Sequence, residues 1–294
     1  MRQTAVDISY LEVIYMQIHV VERGQTLTSI ARQYQIAPGL IARYNGLRPP
    51  YDLAVGQSLL ILTPSGTYPV QEGDTLSSIA QKTGVSVLDL LRANPNLGGT
   101  AQLFPGQVLV LGFTDEPLRA VEANGYAYPF VDLATLRGIM PFTSFLTPFT
   151  YGITAEGGLV PLDDETLLEL ARPYGVKPWM HLSTLTQSGV FSSQLAQEIL
   201  RSSQLQKTLA DNVVQTMAQK GYEGLDVDFE YITGEYAGAY ADFVGLLRSR
   251  VNAAGHELIV ALAPKTSATQ PGALYEGHDY KLLGEQADAV LLMT

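Results

Sequence analysis

The feature that most constrains the fold is an internal repeat, because two copies of one short pattern mean two copies of one small structural unit. Val21-Glu-Arg-Gly-Gln-Thr-Leu-Thr-Ser-Ile-Ala31 returns as Val70-Gln-Glu-Gly-Asp-Thr-Leu-Ser-Ser-Ile-Ala80. Tyr44-Asn45-Gly46-Leu47 is answered by Ala93-Asn94-Pro95-Asn96-Leu97, and Val55-Gly56-Gln57-Ser58-Leu59 by Pro105-Gly106-Gln107-Val108-Leu109. Each copy reads strand, helix, helix, strand. Gly24 and Gly73 permit a sharp reversal after short β-prone stretches at 19–21 and 68–70. Thr26 and Thr75 are natural N-caps, with Leu27, Ile30 and Ala31, or Leu76, Ile79 and Ala80, at helical spacing behind them. Closing strands follow the Gly-Gln turns, at 59–62 and 108–111.

Beyond Pro117 the texture changes to apolar strands alternating with helical patterns, the signature of β-α units on a parallel sheet. Candidate strands lie at 120–128, 144–151, 177–182, 224–229, 257–263 and 289–293. The most regular helical stripe is Tyr236, Tyr240, Phe243, Leu247 and Val251, with Gly255 to end it. One strand is unusual. In Gly224-Leu-Asp-Val-Asp-Phe-Glu230 alternation puts Asp226, Asp228 and Glu230 on one face and Leu225, Val227 and Phe229 on the other. Three inward carboxyls would be intolerable in a closed apolar core, but at the carboxyl end of a barrel strand they face an active-site mouth.

Composition narrows the partners. A formal net charge of -11 disfavours nucleic acid and anionic membranes, whereas a neutral sugar polymer fits. Cysteine is absent, so disulfides and thiolate chemistry are excluded. His19, His181, His256 and His278 have no metal-ligand spacing, and neither a metal nor a cofactor is expected. No run is long enough to span a membrane, and the start lacks the basic-then-apolar order of a secretory signal.

The repeats resemble the LysM domain, a β-α-α-β module that binds N-acetylglucosamine-containing glycans through the loops after its first and before its last strand. Carried over, the resemblance implies contacts at Gly24, Gln25, Thr26 and Leu27, and at Gly73, Asp74, Thr75 and Leu76. As caps and core the same residues could equally serve the module alone. The run from Gly224 to Glu230 is similar to the signature Asp-Gly-x-Asp-x-Asp-x-Glu of glycoside hydrolase family 18, with Glu223 in place of the first Asp. Pro148-Phe149-Thr150-Tyr151, Ala261-Leu262-Ala263-Pro264-Lys265 and the run from Ala287 to Met293 agree, and the whole is most similar to spore germination hydrolases with N-terminal LysM repeats.

That resemblance implies an α/β fold: a (β/α)8 TIM-type barrel, preceded by two LysM modules. The expected organisation is an extension at 1–17, modules at 18–62 and 67–112, and the family 18 domain at 118–294. Only about six strands are present, where a closed barrel needs eight in about 250 residues, so the domain is expected to be partial. The resemblance implies a cell-wall glycan hydrolase acting on β-1,4 bonds of peptidoglycan, spore cortex glycan or chitin. Glu230 would be the acid, Asp228 would hold the substrate's 2-acetamido group, and Asp226 would share a proton with Asp228. Tyr128, Phe149, Tyr151, Trp179 and Met293 are candidate substrate contacts, the aromatic ones because they fall near strand ends, although aromatics more often fill cores. No obligate protein partner is evident, and a spore coat, cortex or cell-wall location follows, where release on mother-cell lysis would need no signal. Two other readings stay open: a non-catalytic glycan-binding or coat protein, and a divalent-metal phosphoesterase built on the carboxylates.

Overall fold

The computed structural model describes residues 17–114 and 119–293. The expected extension before Gln17 and the expected first residue of the α/β domain, Leu118, lie outside the described residues. The chain divides into two compact units, Met1–Val121 with Ala134–Pro141 and Glu122–Leu133 with Phe142–Thr294.

In the first unit each repeat is one module. The first runs β1 (Gln17–Val20), α1 (Leu27–Tyr34), α2 (Pro38–Tyr44) and β2 (Ser58–Ile61), the strands pairing antiparallel. The second runs β3 (Pro64–Pro69), α3 (Leu76–Thr83), α4 (Val87–Ala93) and β4 (Val108–Phe113), again antiparallel. The repeated threonines do cap α1 and α3: Oγ1 of Thr26 and Thr75 accepts the N–H of Ser29 at 3.2 Å and of Ser78 at 3.0 Å. Each serine hydroxyl accepts the threonine N–H in return, at 2.9 and 3.0 Å, which completes a capping box. The repeated asparagines are clips. Asn94 Nδ2 donates to Leu90 and Val110 carbonyls at 2.8 and 2.7 Å while Oδ1 accepts the Val110 N–H at 2.9 Å, so helix end and closing strand are tied by one buried side chain. Asn45 does the same between Ile41 and Leu60. Leu27, Ile30, Ile41, Leu59 and Ile61 form the first module's core.

The second unit is a curled sheet of six parallel strands in the order β5 (Asn124–Ala127), β6 (Phe145–Pro148), β9 (Lys177–Ser183), β10 (Gly224–Asp228), β11 (Glu257–Leu262) and β12 (Ala289–Leu292). α5 (Leu133–Ile139) connects β5 to β6, and α6 (Glu165–Ala171), α7 (Ser193–Arg201), α8 (Ser203–Lys220), α9 (Ala237–Ala253) and α10 (Tyr280–Gln286) follow in chain order. All six expected strands form, each within a few residues of its expected bounds. Leu225, Val227 and Phe229 meet Tyr240, Phe243, Leu247 and Val251 of α9 in the main core, all fully buried. Each such side chain contributes about 1.5–3 kcal/mol of transfer free energy. Gly255 follows the last residues of α9 with φ 86°, where a side chain would be strained.

The second strand departs from expectation. β6 stops at Pro148 and does not run on to Tyr151, and the chain turns into a short antiparallel hairpin of β7 (Gly152–Ile153) and β8 (Leu159–Val160). Gly152 allows this, since a Cβ there would lie 2.0 Å from the Leu185 carbonyl oxygen. Among the described residues no helix is long and apolar enough to cross a membrane.

Candidate active site at the end of β10

Register places the carboxylates by height. β10 pairs with β9 so that Gly224 lies opposite Trp179, Asp226 opposite His181 and Asp228 opposite Ser183. Asp226 is fully buried, the Asp228 side chain is 12% exposed, and Glu230 follows just beyond the strand, partly exposed. The three therefore climb one face from the sheet interior to its open carboxyl end.

Asp226 Oδ2 accepts the Tyr126 hydroxyl of β5 at 2.5 Å. His181 Nε2 lies 3.5 Å from Asp228 Oδ2 and 3.9 Å from Asp226 Oδ2, and its Nδ1 is 2.6 Å from Thr150 Oγ1. Asp226 Oδ1 and Asp228 Oδ1 are buried without a hydrogen-bond partner. Burial, joined by the charge of Asp228 and opposed by His181 and Tyr126, pushes the Asp226 carboxyl up to about 6. Burial and then Asp228 also raise Glu230 above the usual carboxylate range, against the opposing effect of His181. The Tyr126 phenol is held far above its ordinary value by burial and by Asp226. Burial and the neighbouring charge thus favour the protonated form of both the inner and the outer carboxyl.

A cleft of about 390 Å³ opens at Asp228, the one of the three carboxylates in its lining, which also includes Tyr126, Tyr128, Phe149, His181, Ala261, Leu291 and Met293. Tyr128 stacks on Phe130 at 5.0 Å and meets Phe149 edge-on at 5.1 Å, and Phe149 lies 4.6 Å from His181. Tyr128, Phe149 and Met293 thus line one cleft with Asp228.

Tyr151 and Trp179 are not. Trp179 shares a strand face with His181, but it lies level with Gly224, four residues below Asp228, roughly 13 Å along the strand. There it packs on Phe145 at 5.1 Å and fills the space a Cβ on Gly224 would need. Tyr151 points into the core, where its hydroxyl donates to buried Asp164 at 2.6 Å; Asp164 also takes the Tyr222 hydroxyl and, at 2.5 Å, the Lys220 ammonium. Both are structural residues. Conversely, spacing alone singles out neither Tyr126 nor a place for His181 among the carboxylates. The one signal for Tyr126 is its position two residues before Tyr128, in step with it by the alternation of the strand expected at 120–128. Among the described residues no group of three or more His, Cys, Asp or Glu is arranged to hold a metal ion.

In the first unit a cleft of about 610 Å³ is lined by Gln25 and Thr26, by Leu27 and Thr28 at the start of α1, and by Pro50, Tyr51, Asp52 and Leu53 from another loop. Gly24 and Gly73 take left-handed φ of 85° and 81° at the corresponding turns. Leu27 and Leu76 are largely core, and Thr26 and Thr75 are spent as caps. Asp74 is committed as well: its carboxylate pairs with Lys82 at 2.6 Å and accepts the Gln71 N–H at 2.8 Å and the Tyr68 hydroxyl at 2.9 Å.

Comparison with known proteins agrees with this geometry. The LysM domain model matches residues 19–62 and 68–112, and the model of glycosyl hydrolases family 18 matches residues 175–294. A cortical fragment-lytic enzyme of Bacillus anthracis is 32% identical over 286 residues, covering 95% of this chain and 65% of its own. The crystal structure of the spore cortex-lytic enzyme SleL of Bacillus megaterium QM B1551 superposes with a TM-score of 0.71 at 32% identity, over 95% of this chain and 66% of that one. A chitinase from Chromobacterium violaceum, 20% identical with a TM-score of 0.54, covers 59% of this chain and 56% of its own and shares the fold. The chain thus spans about 65% of the length of the curated relatives it matches. Two modules that match LysM, followed by a parallel sheet whose fourth strand leads into Glu230 within the matched segment, show that the chain carries two LysM domains and a domain of glycosyl hydrolases family 18.

Proposed function

We propose that this protein hydrolyses the β-1,4 bonds of N-acetylglucosamine-containing cell-wall polymer, with spore-cortex peptidoglycan as its substrate and its LysM modules as the anchor. The observation that carries the reading is the ascending set Asp226, Asp228 and Glu230, with Asp228 opening into an aromatic cleft, the outer carboxyl raised in pKa and the inner one sealed off. The names of the relatives, cortical fragment-lytic and spore cortex-lytic enzymes, support the cortex as substrate and as place of action.

In this reading Glu230 protonates the glycosidic oxygen as the C1–O bond breaks, and the acetamido carbonyl of the same sugar attacks C1 to form an oxazolinium. Asp228 accepts the acetamido N–H and offsets the positive charge. Asp226, predominantly neutral below its raised value of about 6, then removes one negative charge from beneath Asp228. Water then attacks C1 as the C1–O bond of the oxazolinium breaks and restores the acetamido group; it gives its proton to the Glu230 carboxylate and leaves a product with retained configuration. Tyr128 and Phe149 supply faces for sugar rings.

Digestion of purified cortex peptidoglycan, vegetative peptidoglycan and chitin, with mass spectrometry of the products, tests this. The cortex is expected to yield fragments ending in reducing N-acetylglucosamine. Release from none of the three polymers would refute the assignment, and release from chitin alone would move the substrate. Residues 18–112 alone are expected to sediment with insoluble glycan, more weakly when either module is deleted.

A further inference from the structure

Both hydrogen-bond ladders of β10 stop short of Glu230: pairing with β11 ends at Val227 and pairing with β9 ends at Asp228. Phe229 is fully buried, so its backbone N–H and C=O need partners that no strand supplies. Side chains supply them. The Phe229 N–H donates to the Tyr240 hydroxyl at 3.4 Å, and the Phe229 carbonyl lies 2.9 Å from His278 Nε2. His278 is also fully buried, and its Nδ1 lies 2.9 Å from the backbone nitrogen of Ala263, just past β11. A backbone N–H can only donate, so Nδ1 is the lone-pair nitrogen and Nε2 carries the proton given to Phe229. Burial lowers the pKa of His278, which favours this neutral form.

The chain around Glu230 is constrained on its other side as well. Tyr231 takes φ 56°, in the left-handed region. Gly277, the neighbour of His278, lies so close to the same segment that a Cβ would sit 2.2 Å from the Ile232 carbonyl oxygen. The loop before α10 is therefore seated directly on the backbone that carries the outer carboxyl.

The structure assigns to His278 a positioning role: in the neutral tautomer its Nε2–H donates to the carbonyl of the Phe229–Glu230 peptide and so fixes the reach of the Glu230 carboxyl. The role deepens the hydrolase reading and rests on it. His278 touches no reacting atom, and its effect passes through one carbonyl.

Two isosteric variants separate the two halves of the link. His278→Gln keeps a donor where Nε2 stood, and His278→Asn keeps only an acceptor where Nδ1 stood. Both should lose similar melting temperature. In the full chain His278→Asn is expected to lower kcat about 10- to 100-fold with KM changed less than about 3-fold, and His278→Gln to hold kcat within about 3-fold of wild type. Amide exchange at Glu230 and Tyr231 should quicken in His278→Asn and not in His278→Gln. If kcat and exchange in both variants simply follow the loss of melting temperature, His278 is only a structural residue and the inference is wrong. Nitrogen-15 NMR of the wild-type imidazole checks the tautomer directly: a proton on Nδ1 at neutral pH would overturn the assignment. Should the wild-type protein cleave no glycan, the proposed reaction fails, while the exchange comparison and the tautomer still decide the link.

Discussion

Replacing Asp226 by asparagine should stabilise the barrel unit at neutral pH. The Asp226 carboxyl is fully buried and is pushed up from 3.8 to about 6, chiefly by burial. At 1.36 kcal/mol per pH unit this amounts to about 3 kcal/mol in favour of the neutral form. The unfolded chain ionises near 3.8 and the folded one near 6, so the stability that the neutral carboxyl contributes is complete below the lower value. It is lost as pH rises through the higher one. The substituted asparagine stays neutral throughout, and its amide oxygen can still accept the Tyr126 hydroxyl that Asp226 Oδ2 accepts now. The variant should therefore gain on wild type by about 2–3 kcal/mol between pH 4 and pH 8. Trp179 is the single tryptophan and is buried in the barrel unit, so its fluorescence during urea unfolding reports that unit. With an m-value of about 2 kcal/mol per M, the midpoint difference should widen by roughly 1 M across that pH range. A difference that does not change with pH, or a variant less stable than wild type at pH 8, would refute the claim that burial disfavours the ionised form of Asp226.

Glu230→Gln is expected to abolish cleavage, by at least about 10²-fold, with the unfolding midpoint unchanged, since the amide keeps the shape and cannot deliver a proton; substantial residual turnover would remove Glu230 from its role. Asp164→Ala leaves Lys220, Tyr151 and Tyr222 without their shared acceptor and should cost about 3–5 kcal/mol in Trp179-monitored unfolding; a loss below about 1 kcal/mol would contradict the buried network. Thr26→Ala and Thr75→Ala each remove one capping box and should each cost about 1 kcal/mol in urea melts of the repeat unit followed by circular dichroism, with a neutral result counting against the caps.

The sequence showed what depends on spacing. Alternation along 224–230 sorted Asp226, Asp228 and Glu230 from Leu225, Val227 and Phe229, and the structure keeps the two sets on opposite faces. The repeated Thr announced the caps, and the six strands followed from apolar runs between helical stripes. What spacing could not supply was height and partner. Trp179 and His181 share a strand face, but only the pairing of Trp179 with Gly224 shows that one is floor and the other is mouth. Tyr151 has the look of a strand-end aromatic, yet β6 stops at Pro148 and the Tyr151 hydroxyl meets Asp164, thirteen residues on. Tyr126 and Asp226 are a hundred residues apart, and His278 and Phe229 forty-nine, so neither contact has a local trace.

The central claim is that the substrate's own acetamido group, held by Asp228, is the nucleophile. The most direct test is a series of N-acetylglucosaminide substrates whose acetamido methyl carries zero, one, two or three fluorines, which weakens the carbonyl oxygen step by step while leaving its size nearly unchanged. This account predicts that kcat/KM falls with every added fluorine, in wild type as in any active variant. A rate indifferent to fluorine would mean that an enzyme carboxylate or a water attacks C1, and would contradict it.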